Sequence, residues 1–332
     1  MMPHETLLRV DGLTTWYPIR SGLMRRLQGH VQAATDVSFE IGRGRTLALV
    51  GESGCGKSTV GRSILGLESP RAGEVFFEGR DILKLTPDAL RAARQRLQII
   101  FQDPLASLDP RMRIRDQIAE GMRSFAIAAS DAELDRRVAA LLKRVQLDPE
   151  MMDRYPHEFS GGQRQRLCIA RALAVEPRLI VCDESVSALD VSIQAQILNL
   201  LTDLQSELGL SYLFITHDLS VVRYLAHEVA VMYLGRIVEQ GPTERIFARP
   251  AHPYTQALLA SIPSIDPARR SEAPPVLGDV PSPSHPPPGC PFHTRCPHVM
   301  DRCRRELPKA YAVEGGTSRC FLVETQGPNS RS

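Results

Sequence analysis

LALVGESGCGKST, residues Leu47 to Thr59, decides how the rest of the chain is read. An apolar, strand-like run from Leu47 to Val50 meets a glycine-rich turn that fits GxxxxGKS from Gly51 to Ser58. The residues that follow, VGRSILGL, have helical spacing. A strand that turns through glycine into a helix leaves several backbone N–H groups converging at the helix start, where the helix dipole adds positive potential. That is a cradle for a polyphosphate. Gly51, Glu52, Ser53, Gly54, Cys55 and Gly56 form the loop, Lys57 reaches the β- and γ-phosphates, Ser58 takes one position on Mg²⁺, and Thr59 follows it into the helix. Strand, turn and helix all fall in place, which leaves little room for a chance glycine-rich turn.

A chain of 332 residues can bury a full core and suggests two domains, or one large domain with an appendage. With 40 basic and 38 acidic residues the formal net charge is +2, so no strong global field favours nucleic acid. No basic start followed by an apolar run and a cleavage site opens the sequence, which argues against export. The longest apolar runs, such as VAVMYL at 229 to 234, have strand length and fall far short of the roughly 20 residues that span a bilayer. The expectation is a soluble chain able to dock on a membrane protein. Cys55, Cys168 and Cys182 stand singly, whereas Cys290, Cys296, Cys303 and Cys320 crowd the C-terminus. Without an export signal, such a cluster more often binds metal than forms disulfides.

Outward from the phosphate loop, Leu7 to Trp16 reads as a strand closed by Trp16-Tyr17-Pro18, followed by a basic loop (Arg20, Arg25, Arg26) and a strand pair around Val37 to Ile41 and Thr46 to Val50. An aromatic ring shortly before the loop can stack on an adenine, a contact worth roughly 1 to 3 kcal/mol by analogy with base stacking. Core or edge packing explains the same pair equally well. Gly73 to Glu78 and Leu97 to Phe101 read as further strands, the second delivering Gln102 to ligate Mg²⁺ or orient water. From Asp103 to about Ala174 the pattern is helical, with Leu134, Val138, Leu141, Leu142 and Val145 marking one buried face.

FSGGQRQRLCIARAL, Phe159 to Leu173, places Ser160, Gly161 and Gly162 before a helix whose first turns hold Gln163, Arg164 and Arg166. This is a second anion-seeking helix N-terminus. Since the chain has one phosphate loop, a second phosphate site suggests a nucleotide shared between subunits. Leu179 to Cys182 is a buried strand ending in Asp183 and Glu184: the first is placed to hold Mg²⁺ or its water, the second to polarise an attacking water. Ser187-Ala188-Leu189-Asp190 leads into a helix with Ile193, Ile197, Leu200, Leu201, Leu204 and Leu208 on one face. The strand Tyr212 to Ile215 then presents Thr216-His217-Asp218. A lone histidine there is usually structural; a γ-phosphate contact is the sharper alternative.

Motifs in this order, over roughly residues 7 to 247, resemble the ATP-binding subunit of an ABC transporter. They match its Walker A (Gly51 to Ser58), Q-loop (Gln102), signature (Phe159 to Gln163), Walker B (Leu179 to Asp183), glutamate (Glu184), D-loop (Ser187 to Asp190) and switch histidine (His217). The resemblance implies an α/β fold of the P-loop NTPase class, an ABC-type nucleotide-binding domain over residues 1–250. This domain would hold a RecA-like core, an antiparallel β subdomain and an inserted α-helical subdomain at about 103–174. ATP and Mg²⁺ are the implied cofactors, with Ser58, Gln102 and Asp183 on the metal and Glu184, His217 and Lys57 catalytic. Tyr17 takes the adenine position, Trp16 being runner-up. Ser160, Gly161, Gly162, Gln163 and Asp190 belong to the nucleotide contacts, with the signature serving the opposing subunit. Two positions depart from the family: Phe159 stands where leucine is commoner, and Ser185 where proline usually follows the glutamate. Losing that proline frees the backbone φ and is expected to loosen Glu184 slightly while leaving hydrolysis intact.

His252-Pro253-Tyr254-Thr255, a short helix (Gln256 to Ser261), a proline-rich linker (Pro263 to Pro288) and GCPFHTRCPHVMDRC resemble the dipeptide and oligopeptide importer ATPases, whose nickel and glutathione relatives share this tail. IFQDPLASLDPRM and RYPHEFSGGQ also resemble this subfamily, particularly the second of its two unlike ATPases. That resemblance divides the remainder into 251–288, the HPY region and linker, and 289–332, a small Cys-rich extension. It implies a heterodimer with a second, unlike ABC ATPase, two membrane permease subunits, an indirect link to a solute-binding protein, no nucleic acid, and a peripheral place on the cytoplasmic face of the inner membrane. The cysteine pattern C-x5-C-x6-C-x16-C leaves zinc, an iron-sulfur cluster and free thiols open. The resemblance tilts the reading to a 4Fe-4S cluster, with Zn²⁺ as alternative. A soluble ABC ATPase acting on nucleic acid or ribosomes through the basic loop near Arg25 is the rival from another class, and a redox-sensing module is a third. The near-neutral charge, the single ATPase domain and the importer-type tail stand against the rival.

Overall fold

The computed structural model describes residues 5–22, 26–187, 189–262 and 278–325. Among them run β1 (Thr6–Ser21), β2 (Arg26–Gly42), β3 (Thr46–Val50), β4 (Ala72–Phe77), β5 (Arg80–Asp81), β6 (Leu97–Ile100), β7 (Leu179–Asp183), β8 (Ser211–Thr216), β9 (Glu228–Tyr233), β10 (Arg236–Pro242), β11 (Tyr311–Val313) and β12 (Gly316–Ser318). The chain divides into two compact units, one of Met1–Thr6, Ile41–Arg45 and Lys84–Ile215, the other of Leu7–Glu40, Thr46–Leu83 and Thr216–Ser332.

In the first unit β6, β7 and β8 pair in parallel, with Leu97 opposite Leu179 and Ile180 opposite Tyr212. Leu179, Ile180, Val181 and Cys182 have no exposed surface, as expected for parallel strands covered on both faces. Between β6 and β7 lies the expected helical lobe, with helices Pro104–Ser107, Ile114–Ser124, Asp131–Arg144 and Gly161–Leu173. Asp131–Arg144 starts where the Ser130 hydroxyl accepts the Glu133 N–H, and it buries Leu134, Val138, Leu141 and Leu142. Each such side chain contributes about 1.5 to 3 kcal/mol on burial. The helix Val191–Leu208 buries Ile197, Leu200, Leu201 and Leu204, and Gly209 ends it at φ +65°, where glycine carries no Cβ penalty.

The second unit holds two sheets. One has the order β2-β1-β4-β5, with β1 antiparallel to β4 and β4 to β5. The other contains β3 parallel to β9, then β10, β12 and β11 joined antiparallel. Two sequence expectations change here. Trp16-Tyr17-Pro18 does not close β1, which continues through Arg20 to Ser21. The ladder to β4 ends at Thr14 opposite Ala72, so Pro18 falls beyond it, where a missing N–H is tolerated. Likewise Val37 to Ile41 and Thr46 to Val50 are not a pair, because β2 and β3 lie in different sheets.

The cysteine-rich segment adds β11 and β12 beside β10. Cys290, Phe292, Cys303 and Phe321 pack in the same core as Val229, Val231, Tyr233, Ile246 and Tyr254. It thus shares an apolar core instead of relying on thiols alone for its shape. Of the proline-rich linker, 263–277 lies outside the described residues; 278–288 forms neither helix nor strand and offers the Pro283 carbonyl to the Gln32 N–H at 3.0 Å. Arg25 and Ala188 also lie outside them. No helix among the described residues is long and apolar enough to cross a membrane.

Candidate functional site

In the second unit β3 ends at Val50 and the helix Lys57–Ile64 begins six residues after Gly51. A Cβ on Gly51 would meet the Met232 carbonyl oxygen at 2.1 Å, and one on Gly56, at φ +103°, would meet that of Ala33 at 1.7 Å. Glycine is therefore required at both ends of the loop. Lys57 is buried, 3% exposed. Its Nζ donates to the carbonyls of Gly51 (2.8 Å) and Glu52 (3.0 Å), so the loop itself orients the ammonium. Ser53 and Gly54 are exposed, while Ser58 and Thr59 are half-buried. Burial pushes the Cys55 thiol above its ordinary value.

The two aromatic candidates separate clearly. The Tyr17 hydroxyl donates to Thr59 Oγ1 at 3.4 Å, at the start of the phosphate-loop helix. Trp16 donates instead to Thr35 Oγ1 at 2.9 Å and lies under the Arg71 guanidinium at 4.8 Å. His217, the residue after β8, is exposed, and the next residue, Asp218, caps the following helix by accepting the Ser220 N–H.

In the first unit Asp183 is the last residue of β7 and 4% exposed. Glu184 follows at φ +47°, a left-handed backbone that costs a non-glycine residue of order 1 to 3 kcal/mol. Its N–H donates to the Ile215 carbonyl at 3.0 Å, and its own carbonyl accepts the Ser187 hydroxyl at 2.9 Å. Gln102 Nε2 donates to Glu184 Oε2 at 3.0 Å. Ser185 is buried. The Glu184 backbone is thus held on both sides although the usual proline is missing.

Ser160 caps the helix Gly161–Leu173, with Gln163 completing a capping box: the Gln163 N–H donates to Ser160 Oγ at 3.4 Å, and the Ser160 N–H to Gln163 Oε1 at 2.9 Å. Ser160 and Gly161 remain exposed. Gly162 is tight, since a Cβ would come within 2.5 Å of Ile193 Cγ2. Arg164 and Arg166, in the first turns of this helix, donate to carbonyl oxygens within the protein. Arg164 Nε donates to the Pro156 carbonyl at 2.9 Å. Arg166, largely buried, donates to Val145 O, Gln146 Oε1 and Gln196 Oε1, and burial lowers its pKa. Both satisfy carbonyl oxygens that would otherwise be orphaned. Asp190 caps Val191–Leu208 by accepting the Ile193 N–H at 2.9 Å.

The C-terminal segment contributes contacts that no sequence signal marked. The Tyr254 hydroxyl oxygen accepts the Glu52 N–H at 3.0 Å, and Arg295 pairs with the Glu52 carboxylate. Glu239, with a fully buried side chain, pairs with Arg245 and accepts the N–H groups of Ala251 (2.8 Å) and His252 (2.9 Å). His252 Nδ1 accepts the Tyr254 N–H at 3.0 Å, and burial pushes the imidazole down to about 3. Glu52 lies 202 positions from Tyr254 and 243 from Arg295, so periodicity and motif spacing are blind to those two contacts.

Cys290, Cys296, Cys303 and Cys320 line one small cavity together with His252, Phe292 and His293. None of the four forms a disulfide among the described residues. Burial pushes Cys290 up to about 12 and Cys320 up to about 11, and raises Cys296. Among the described residues no three His, Cys, Asp or Glu side chains are grouped to hold a metal ion.

Known proteins match this arrangement along most of the chain. The ABC transporter family pattern covers residues 34–187, and the oligopeptide/dipeptide transporter C-terminal region covers residues 238–303. The probable peptide ABC transporter ATP-binding protein y4tS of Sinorhizobium fredii is 52% identical over 312 residues, 94% of this chain and 88% of its own length. The dipeptide transport ATP-binding protein DppF of Escherichia coli is 47% identical over 322 residues, 96% and 95% respectively. Among solved structures, cbiO1 of Clostridium perfringens, part of the ABC transporter complex cbiONQ, aligns with a TM-score of 0.63 at 28% identity, covering 74% of this chain and 92% of that one. The ATP-binding cassette MJ0796, a dimer bound to ADP and Pi, gives the same TM-score and identity over 71% and 98%. With a glycine-locked phosphate loop, a capped SGGQ helix and relatives matched nearly end to end, the chain belongs to the ATP-binding proteins of the ABC transporter family and carries their oligopeptide/dipeptide transporter C-terminal region.

Proposed function

We propose that the chain is the ATP-hydrolysing subunit of an importer of di- or oligopeptides or a related small solute, seated peripherally on the cytoplasmic face of the inner membrane. The observation that carries this reading is the buried Lys57 behind a loop with no room for side chains at Gly51 and Gly56, in a chain with a peptide-transporter C-terminal region. Lys57 and the loop N–H groups hold the β- and γ-phosphates. Ser58, Gln102 and Asp183 arrange Mg²⁺, Glu184 activates water and His217 contacts the γ-phosphate. Phosphoryl transfer asks mainly for positioning and charge stabilisation, which these residue types supply. The exposed Ser160 and Gly161, with Gly162, Gln163 and Asp190, complete the nucleotide site of an opposing, unlike ABC ATPase, so ATP joins the two. Dimer closure then drives two permease subunits, which receive solute from an external binding protein.

The test is co-purification of the tagged full-length chain from membranes. Two permeases and a second ATPase, with ATP turnover stimulated by peptide-loaded binding protein, are expected; recovery with nucleic acid or ribosomes and no permease overturns the reading. Tyr17 stacks on the adenine. Tyr17→Ala is expected to weaken ATP binding by about 1 to 3 kcal/mol, and Trp16→Ala to change it far less. Nucleotide titration monitored by calorimetry checks both.

The four thiols of the C-terminal cavity are proposed to ligate a 4Fe-4S cluster, with Zn²⁺ as the alternative. That all four line one cavity supports this, since a metal could join them there. Such a group would cross-link the segment and add to its stability. Iron and sulfide analysis with visible absorption on anaerobically purified protein decides: a colourless, iron-free sample with stoichiometric zinc rejects the cluster.

A further inference from the structure

Glu52 is an anionic residue in a loop that serves a polyanion. Left alone, its carboxylate would oppose the phosphates. It is not alone: Arg295 Nη1 donates to Oε2 at 2.9 Å and Nη2 to Oε1 at 3.1 Å, a two-point pair. The arginine side chain is only 8% exposed, so solvent screens the pair weakly. Arg295 is itself held, with Nη1 3.5 Å from the Tyr233 hydroxyl and the guanidinium 5.8 Å from the centre of that ring. The loop backbone is fixed from the same side, because the Tyr254 hydroxyl takes the Glu52 N–H. Tyr233, Tyr254 and Phe292 pack against one another with ring centres 4.7 to 5.4 Å apart, which locks both hydroxyls in place. The phosphate loop therefore rests on residues 202 and 243 positions further along the chain.

We propose that Arg295 and Tyr254 are positioning residues for ATP: Arg295 cancels the Glu52 charge beside the triphosphate and, with Tyr254, holds the first turn of the loop, tying the cysteine-rich segment to nucleotide affinity. This rests on the reading of the loop as an ATP site. Freed from Arg295, the carboxylate turns toward the phosphates and repels them through partly screened space.

The test uses the full-length chain and a non-hydrolysable ATP analogue with Mg²⁺, titrated to equilibrium. Arg295→Ala is expected to raise Kd about ten-fold at low salt, with the loss shrinking as salt rises. In a Glu52→Gln background the same change is expected to cost less than about three-fold, since no charge remains to be neutralised. Arg295→Lys, which keeps the charge, is expected to restore most of the affinity in the native background. Equal losses in both backgrounds, or an unchanged Kd in Arg295→Ala, overturn the proposal. Should Arg295→Ala fail to fold, Arg295→Gln against Arg295→Lys makes the same comparison. A native chain that binds no nucleotide defeats the ATP-site reading itself, a result distinct from either.

Discussion

Glu184→Gln is expected to lower ATP turnover by roughly 10² to 10⁴-fold, the range that a positioned general base contributes, while leaving ATP binding intact. The side chain sits at the end of β7, beyond Asp183, with Gln102 on one oxygen. Glutamine keeps the size and the reach but gives up the basic oxygen. The backbone need not move, since its φ of +47° is held by the bonds of its N–H to Ile215 and of its carbonyl to Ser187. Phosphate release by the purified assembly reads the effect, with nucleotide titration as the control. If a shared nucleotide joins two protomers, this variant also accumulates as a Mg·ATP-bound dimer with its natural mate. Turnover within ten-fold of the native value would remove Glu184 from the role of base. The same assay on the native chain examines Ser185: ready hydrolysis is expected despite the absent proline.

Glu239→Ala is expected to destabilise the protein by about 3 to 5 kcal/mol, read by urea unfolding with the native chain in parallel. The side chain is fully buried, and its removal strands the Arg245 guanidinium at 7% exposure. It also orphans the N–H groups of Ala251 and His252, just where the helix Pro253–Ala260 begins. An unsatisfied buried donor costs about 1 to 3 kcal/mol, so the backbone loss compounds the charge. Glu239→Gln is expected to cost less than the alanine change, because it still accepts hydrogen bonds. A loss below about 1 kcal/mol for Glu239→Ala would mean that water reaches Arg245. The effect should extend to nucleotide affinity, because Tyr254 lies two residues beyond His252 and touches Glu52.

The phosphate loop, the SGGQ helix start and the β7 strand with its two acids were legible because each is local. A glycine pattern, a cap three residues from the N–H that donates to it and an uninterrupted apolar run state their geometry within a few positions. The extent of β1 was not legible, since Trp16-Tyr17-Pro18 reads as a terminator until the end of the β4 ladder is known. The partners of Arg164 and Arg166 were not legible either: a helix start does not say which way an arginine six residues along will turn.

By itself the sequence determined the α/β class and the order of the motifs, and it named the residues proposed for the nucleotide; the glycine loop, the cap and the apolar strand among them follow from short-range stereochemistry. Only the tertiary structure decided that Tyr17, and not Trp16, reaches Thr59, that the cysteine-rich segment joins the core of Tyr233 and Tyr254, and that Arg295 pairs with Glu52. Those contacts join residues up to 243 positions apart. Charge pairing and ring packing depend on distance in space, and a single sequence carries no record of which distant side chains its folding brings together.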